Sequence, residues 1–147
     1  MKKLLLVISI LAAQQLFAQT SSNILTAYYG VKEALVADNA NAASEKAGEL
    51  SKALAAADKA TLTDKLNTDA KAISKSKDLE TQRKHFASLS ANMLALAKAI
   101  KLSDKPIYQE YCPMKKAVWL SDDSAIKNPY YGEAMLTCGS VQTTLKP

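Results

Sequence analysis

Histidine and tryptophan occur once each, cysteine twice, and glycine and proline four times each in this 147-residue chain. Each scarcity removes a class of reading. The single histidine, His85, leaves little room for a nucleophile–base–orienter set, and no His-Glu-x-x-His zinc motif is present. Cys112 and Cys138 form neither a Cys-x-x-Cys redox pair nor a haem-attachment Cys-x-x-Cys-His. No glycine-rich phosphate loop occurs, so an enzyme is not expected. No Gly- or Pro-rich linker divides the chain, which reads as one domain. The formal net charge is +5, but lysines alternate with Asp and Glu and form no block. A solvated surface is the expectation, without nucleic-acid binding.

Only one long apolar run exists, and it sits at the start. Met1-Lys2-Lys3 is followed by Leu4 to Leu11 and then by Gln14 to Gln19. A positive flank, an apolar stretch of about ten residues and a small residue at the end form a secretory signal pattern. It is too short to span a bilayer, which takes about 20 apolar residues. Residues 1–18 are therefore expected to be a signal peptide cut after Ala18, leaving 19–147 periplasmic or secreted. No cysteine follows the run to carry a lipid, and no stable membrane insertion is expected after cleavage.

Four stripes of apolar residues recur at helical spacing. They are Ile24, Tyr28, Val31 and Leu35; Ala43, Ala47, Leu50, Leu54 and Ala57; Leu62, Leu66, Ala70 and Ile73; and Leu79, Phe86, Leu89, Met93, Leu96 and Ile100, opened by Asp78 as a cap. Short connections at Asp38-Asn39, Asp58-Lys59 and Ser74-Lys75-Ser76 favour antiparallel neighbours. The expected fold is all-α: a compact bundle of about four helices over 22–102. An irregular cap over 103–147 completes it, with room for short strands. Every proline and the only tryptophan fall in that cap. Ile107–Tyr111 and Ser140–Leu145 could be extended, Asn128-Pro129 and Gly132 mark turns, and Tyr130–Cys138 could hold a short helix.

The cap also holds the chemistry. Thiolate and thioether sulfurs are soft donors suited to Cu(I). In Cys112-x-Met114 an extended chain places both side chains on one face; in Met135-x-x-Cys138 one helical turn does the same. Together these pairs would supply four sulfur ligands. The competing reading is a Cys112–Cys138 disulfide closing a loop of about 27 residues, worth roughly 3 kcal/mol, with both methionines filling the core. An exported chain makes that staple the default. His85 lies one position off its stripe, at a helix edge that the cap could reach, and imidazole also suits copper.

Tyr111-Cys112-Pro113-Met114, Trp119-Leu120-Ser121, Asn128-Pro129-Tyr130-Tyr131-Gly132, Met135-Leu136 and Cys138-Gly139 carry a resemblance. So do Ala34 to Asp38, Gln82 to Phe86 and Leu89-Ser90 in the helical half. On these residues the chain resembles a bacterial family of exported helical domains of unknown function. Some of its members are fused to membrane-fusion subunits of heavy-metal efflux pumps. Cys112-Pro113-Met114 and Cys138-Gly139 are also similar to a short heavy-metal-binding module with Cys-Pro-Met-His and Cys-x-x-Cys-Gly-Met. Lys115 replaces its histidine, and Thr137-Cys138-Gly139-Ser140 lacks its second cysteine and following methionine. The resemblance implies copper handling, with Cys112, Met114, Met135 and Cys138 as matched candidates, His85 as an additional one, and an efflux membrane-fusion subunit as partner. The alternative stays open: a disulfide-stapled helical domain that docks onto a protein partner without metal.

Overall fold

Consecutive helices pack antiparallel because their connections are only a few residues long. In the computed structural model, residues 2–57 and 61–147 are described, with side chains from 19 to 57 and from 63 onward. Met1, the side chains of the expected signal, the Asp58-Lys59 connection and the side chain of Leu62 lie outside the described residues. The helices are α1 (Lys2–Val36), α2 (Ala40–Ala55), α3 (Thr61–Lys75) and α4 (Leu79–Ala99). No helix among the described residues is long and apolar enough to cross a membrane.

Local chemistry sets the boundaries. Asp38 adopts a left-handed conformation (φ 54°) just past α1, where a short polar side chain is tolerated. Asn39 then opens α2 by accepting the Ala42 amide at 3.0 Å. Asp78 caps α4 in the same way through the Thr81 amide at 2.8 Å. The expected stripes form the core: Tyr28, Val31, Leu35, Ala43, Ala47, Leu50, Leu66, Ala70, Ile73, Phe86, Leu89 and Met93 have no exposed surface. Alanines on α2 let that helix approach its neighbours closely.

Beyond α4 the architecture departs from the all-α expectation. Three strands, β1 (Ile107–Cys112), β2 (Ala117–Ser121) and β3 (Ser140–Leu145), form an antiparallel sheet in the order β2-β1-β3. The fold is therefore mixed, four helices and a three-stranded sheet, and the cap is a second structural layer. The physical reason is backbone satisfaction: each segment alone shows only a short pattern, but pairing provides partners for the main-chain groups of all three. Glu110 lies opposite both Trp119 and Val141. The register to β3 slips between Gln109 and Glu110, so Gln142 is an extra residue bulged from the ladder.

Tyr28 joins the two layers. Its buried hydroxyl bonds Ser90 of α4 at 2.7 Å and accepts the Leu120 amide of β2 at 3.1 Å. Its ring stacks on Phe86 (5.3 Å between centroids), which meets Tyr130 at 5.9 Å, and Tyr130 meets Trp119 edge-on at 6.0 Å. The Tyr130 hydroxyl donates to the Val118 carbonyl. Two tyrosine hydroxyls thus occupy main-chain groups of β2, so this edge strand is covered.

One buried charge remains at the seam between sheet and bundle. The Glu110 carboxylate has no exposed surface and neither oxygen makes a hydrogen bond. The Trp119 indole lies beside it, short of full hydrogen-bonding geometry. Lys32, also buried, donates to Ser121 Oγ at 3.1 Å and pairs with Glu33 at 2.8 Å. Burial pushes the Glu110 pKa from 4.5 up to about 7, against the opposing pull of the Lys32 ammonium. Between these values the folded chain holds a proton that the unfolded chain releases, so this group's contribution to stability falls as pH rises. The difference reaches about 3 kcal/mol above neutrality. Glu110→Gln should raise the melting temperature at pH 8 by several degrees and leave it nearly unchanged near pH 4.5. Thermal unfolding across pH checks this; parallel curves for both proteins would remove Glu110 as the source.

Candidate functional site

Cys112 ends the central strand β1, and Cys138 follows a single 3-10 turn at Gly132–Met135. Folding sets the two cysteines beside each other: Tyr111, next to Cys112, pairs with Ser140, and Gly139, next to Cys138, packs against the Tyr111 carbonyl; both cysteines are free thiols. Cys112 is fully buried and Cys138 partly exposed. The Pro113–Lys116 turn closes over Cys112, and the Lys115 amide donates to its Sγ at 3.4 Å. Lys116 completes the turn at φ 54°. Burial, and then the neighbouring Cys112, push the Cys138 thiol pKa up. A cation at this pair must therefore displace protons.

The position of Cys138 is set by the loop that carries it. Buried Asn128 is the hub of that loop. Its side chain donates to the Cys138 carbonyl at 2.6 Å and accepts the Tyr130 amide at 2.8 Å. Its backbone donates to Leu136 at 2.8 Å and accepts from Gly132 at 3.0 Å. Arg83 of α4 then fastens the loop to the bundle. It donates through Nε to the Pro129 carbonyl at 2.9 Å, and through Nη2 to the Leu35 carbonyl at 2.9 Å and to Asp38. Asp38 in turn accepts the Glu133 amide at 3.1 Å. Those bonds to Arg83 and Glu133 hold the Asp38 carboxyl below its usual range.

Two glycines permit this closeness. Gly132 has φ +54°, and a Cβ there would land on the Asp38 carboxylate. Gly139 has φ +149°, and a Cβ there would lie 2.8 Å from the Trp119 ring and 3.0 Å from the Tyr111 carbonyl. Any side chain at Gly139 would push the loop carrying Cys138 away from β1.

A family model described as a protein of unknown function (DUF3347) matches residues 24–105, more than half of the chain. The chain belongs to this family. No curated protein and no solved structure matches it. The DUF3347 match covers the helices from Ile24 onward and ends before β1. The thiol pair therefore lies outside the matched DUF3347 residues, on the sheet and loop that pack against them.

The expected ligands are only partly assembled. The cysteines lie beside each other, but Met114 is 62% exposed and Met135 41% exposed, so neither fills the core. They sit on the two turns that flank the thiols, and the Met135 carbonyl accepts the Cys138 amide at 3.0 Å. His85 is not part of the group. Its Nδ1 lies 3.4 Å from Asp69 of α3. Two positions separate it from Arg83, a rotation of about 200° around the helix, which turns it away from the loop. Among the described residues, no cluster of three or more His, Cys, Asp and Glu side chains is arranged to hold a metal. The four-sulfur expectation thus contracts to a two-sulfur core.

Sequence reasoning did not assign roles to Arg83, Asp38 and Asn128. Asn128-Pro129 gives only a turn signal, and the Arg83–Asp38 pairing spans two intervening helices. Arg83→Ala should cost about 1–3 kcal/mol, because it leaves two part-buried carbonyls without their donor. It should also speed alkylation of Cys138 in protein that is still folded. An unchanged alkylation rate would mean that the loop docks without the arginine.

Proposed function

We propose that this protein binds a soft metal ion of the Cu(I) type through Cys112 and Cys138. The juxtaposition of two thiols from distant segments, at the paired ends of β1 and β3, carries the reading, since thiolate is the donor that favours such ions. Met114 and Met135 stand on the adjoining turns as further soft donors. The ion is cargo: the domain buffers it or passes it to the membrane-fusion subunit of an efflux assembly, the partner that the family resemblance implies. Residues 1–18 act as the export signal in this reading. N-terminal sequencing of protein recovered outside the cytoplasm should begin at Gln19; an intact Met1 would remove the export step.

The same juxtaposition, with Cys112 buried, also favours a second reading. In an oxidising compartment the pair would close into a disulfide that staples an interaction domain. Titration of reduced protein with Cu(I) against a competing chelator separates the two. Cys112→Ser and Cys138→Ser should each weaken binding by more than about 100-fold, beyond the loss expected from a merely supporting group. Met135→Leu should weaken it less. Equal affinity in the wild type and both serine variants would leave the staple as the better account.

A further inference from the structure

The two cysteines differ in access. Cys112 ends the central strand, has no exposed surface, and lies beneath the Pro113–Lys116 turn. Cys138 sits on the outer loop and is partly exposed. Thiol–disulfide exchange requires the attacking sulfur to reach an incoming disulfide, so access decides which thiol reacts first.

We propose that Cys138 is the entry thiol and Cys112 the resolving thiol of an exchange with external disulfides that closes the site. This rests on reading the pair as the metal-holding dithiol. In the first step the Cys138 sulfur, losing its proton, attacks one sulfur of a disulfide RSSR. The S–S bond breaks, Cys138–S–SR forms, and the departing thiolate takes a proton as RSH. In the second step the Cys112 sulfur, losing its proton, attacks Cys138 Sγ on the neighbouring segment, which the Tyr111–Ser140 pairing holds beside it. The bond to SR breaks, the Cys112–Cys138 disulfide forms, and a second RSH leaves. Two protein thiols are oxidised and one RSSR is reduced to two RSH. The Lys115 amide, donating to Cys112 Sγ at 3.4 Å, holds that sulfur in place for the second step. Disulfide and metal use the same sulfur electrons, so the closed form holds no ion.

The test follows reduced, metal-free, full-length protein with glutathione disulfide by mass spectrometry, with circular dichroism to verify folding. Cys112→Ser should accumulate one glutathione adduct. Cys138→Ser should react at least about 100-fold more slowly, its remaining thiol being buried. Wild type should pass to the internal disulfide without retaining an adduct. Equal rates in the two folded variants, or a persistent adduct on wild type, would overturn the proposal. If Cys138→Ser does not fold, peptide-mapped partial alkylation of wild type gives the same order, and labelling of Cys112 first overturns it. A second arm repeats the exchange after loading Cu(I). Ordered exchange that Cu(I) does not slow counts against the metal reading and supports the order of attack. Unordered exchange with Cu(I) affinity intact overturns only the order.

Discussion

Arg83 is the point on which the cap depends. Its guanidinium reaches the last turn of α1 at Leu35, the α1–α2 turn at Asp38, and the 128–139 loop at Pro129. A planar fork of fixed N–H directions can hold acceptors from three chain segments at once, where a lysine would offer a single mobile charge. The guanidinium and the two carbonyls it holds are partly buried, so those carbonyls have less water to turn to if the donor is lost, whereas Asp38 stays open to solvent. Asp38 serves twice, ending α1 in a left-handed turn and receiving both Arg83 and the Glu133 amide. Through Asn128 this fixed point determines where Cys138 lies.

Arg83 fixes the loop, and Tyr28 fixes the sheet. An aromatic column from Tyr28 through Phe86 and Tyr130 to Trp119 fills the space between α1, α4 and the strands. The tyrosine hydroxyls find main-chain partners on β2 while their rings pack into the seam. Both edges of a small sheet are thereby managed differently: tyrosines cover β2, and a bulge at Gln142 disrupts β3. The helices matched by the family model carry Tyr28, Phe86 and Arg83, so the bundle already presents the surface that the sheet and loop cover.

The helices were legible because each has one buried face, and a single buried face writes a period of 3.6 into the chain. The sheet was not: β1 and β3 were expected only as extended segments, and β2 left no signal. All of β3 except Leu145 is exposed, and Trp119, Leu120 and Ser121 of β2 are buried in succession, so neither strand alternates. An all-α expectation follows from reading such segments one at a time, because only their pairing makes a sheet. The thiol pair was legible as chemistry but not as geometry. The offsets in Cys112-x-Met114 and Met135-x-x-Cys138 indicate a shared face, and sequence alone cannot say whether that face turns inward. His85 failed for a related reason: nearness in sequence to Arg83 places it on the other side of α4, against Asp69. The Arg83–Asp38 and Asn128–Cys138 contacts are long-range or loop-internal and leave no periodic trace.

The distribution of unsatisfied groups separates scaffold from site. Among the described residues, most unpaired buried polar atoms lie at the seam under the sheet, at Glu110, Trp119 and Tyr29, with Gln82 Oε1 within the bundle as the exception. Such groups weaken the docking of sheet on bundle, because burial without a partner costs free energy. The thiol end of the sheet is different. Cys112 accepts an amide, the Cys138 carbonyl and amide are both bonded, and two glycines let the segments touch. Two thiols held on paired neighbouring segments need little rearrangement to come together, and preorganisation of this kind lowers the cost of a shared bond. Against that bond stands the burial that, with Cys112 beside it, pushes the Cys138 thiol pKa up.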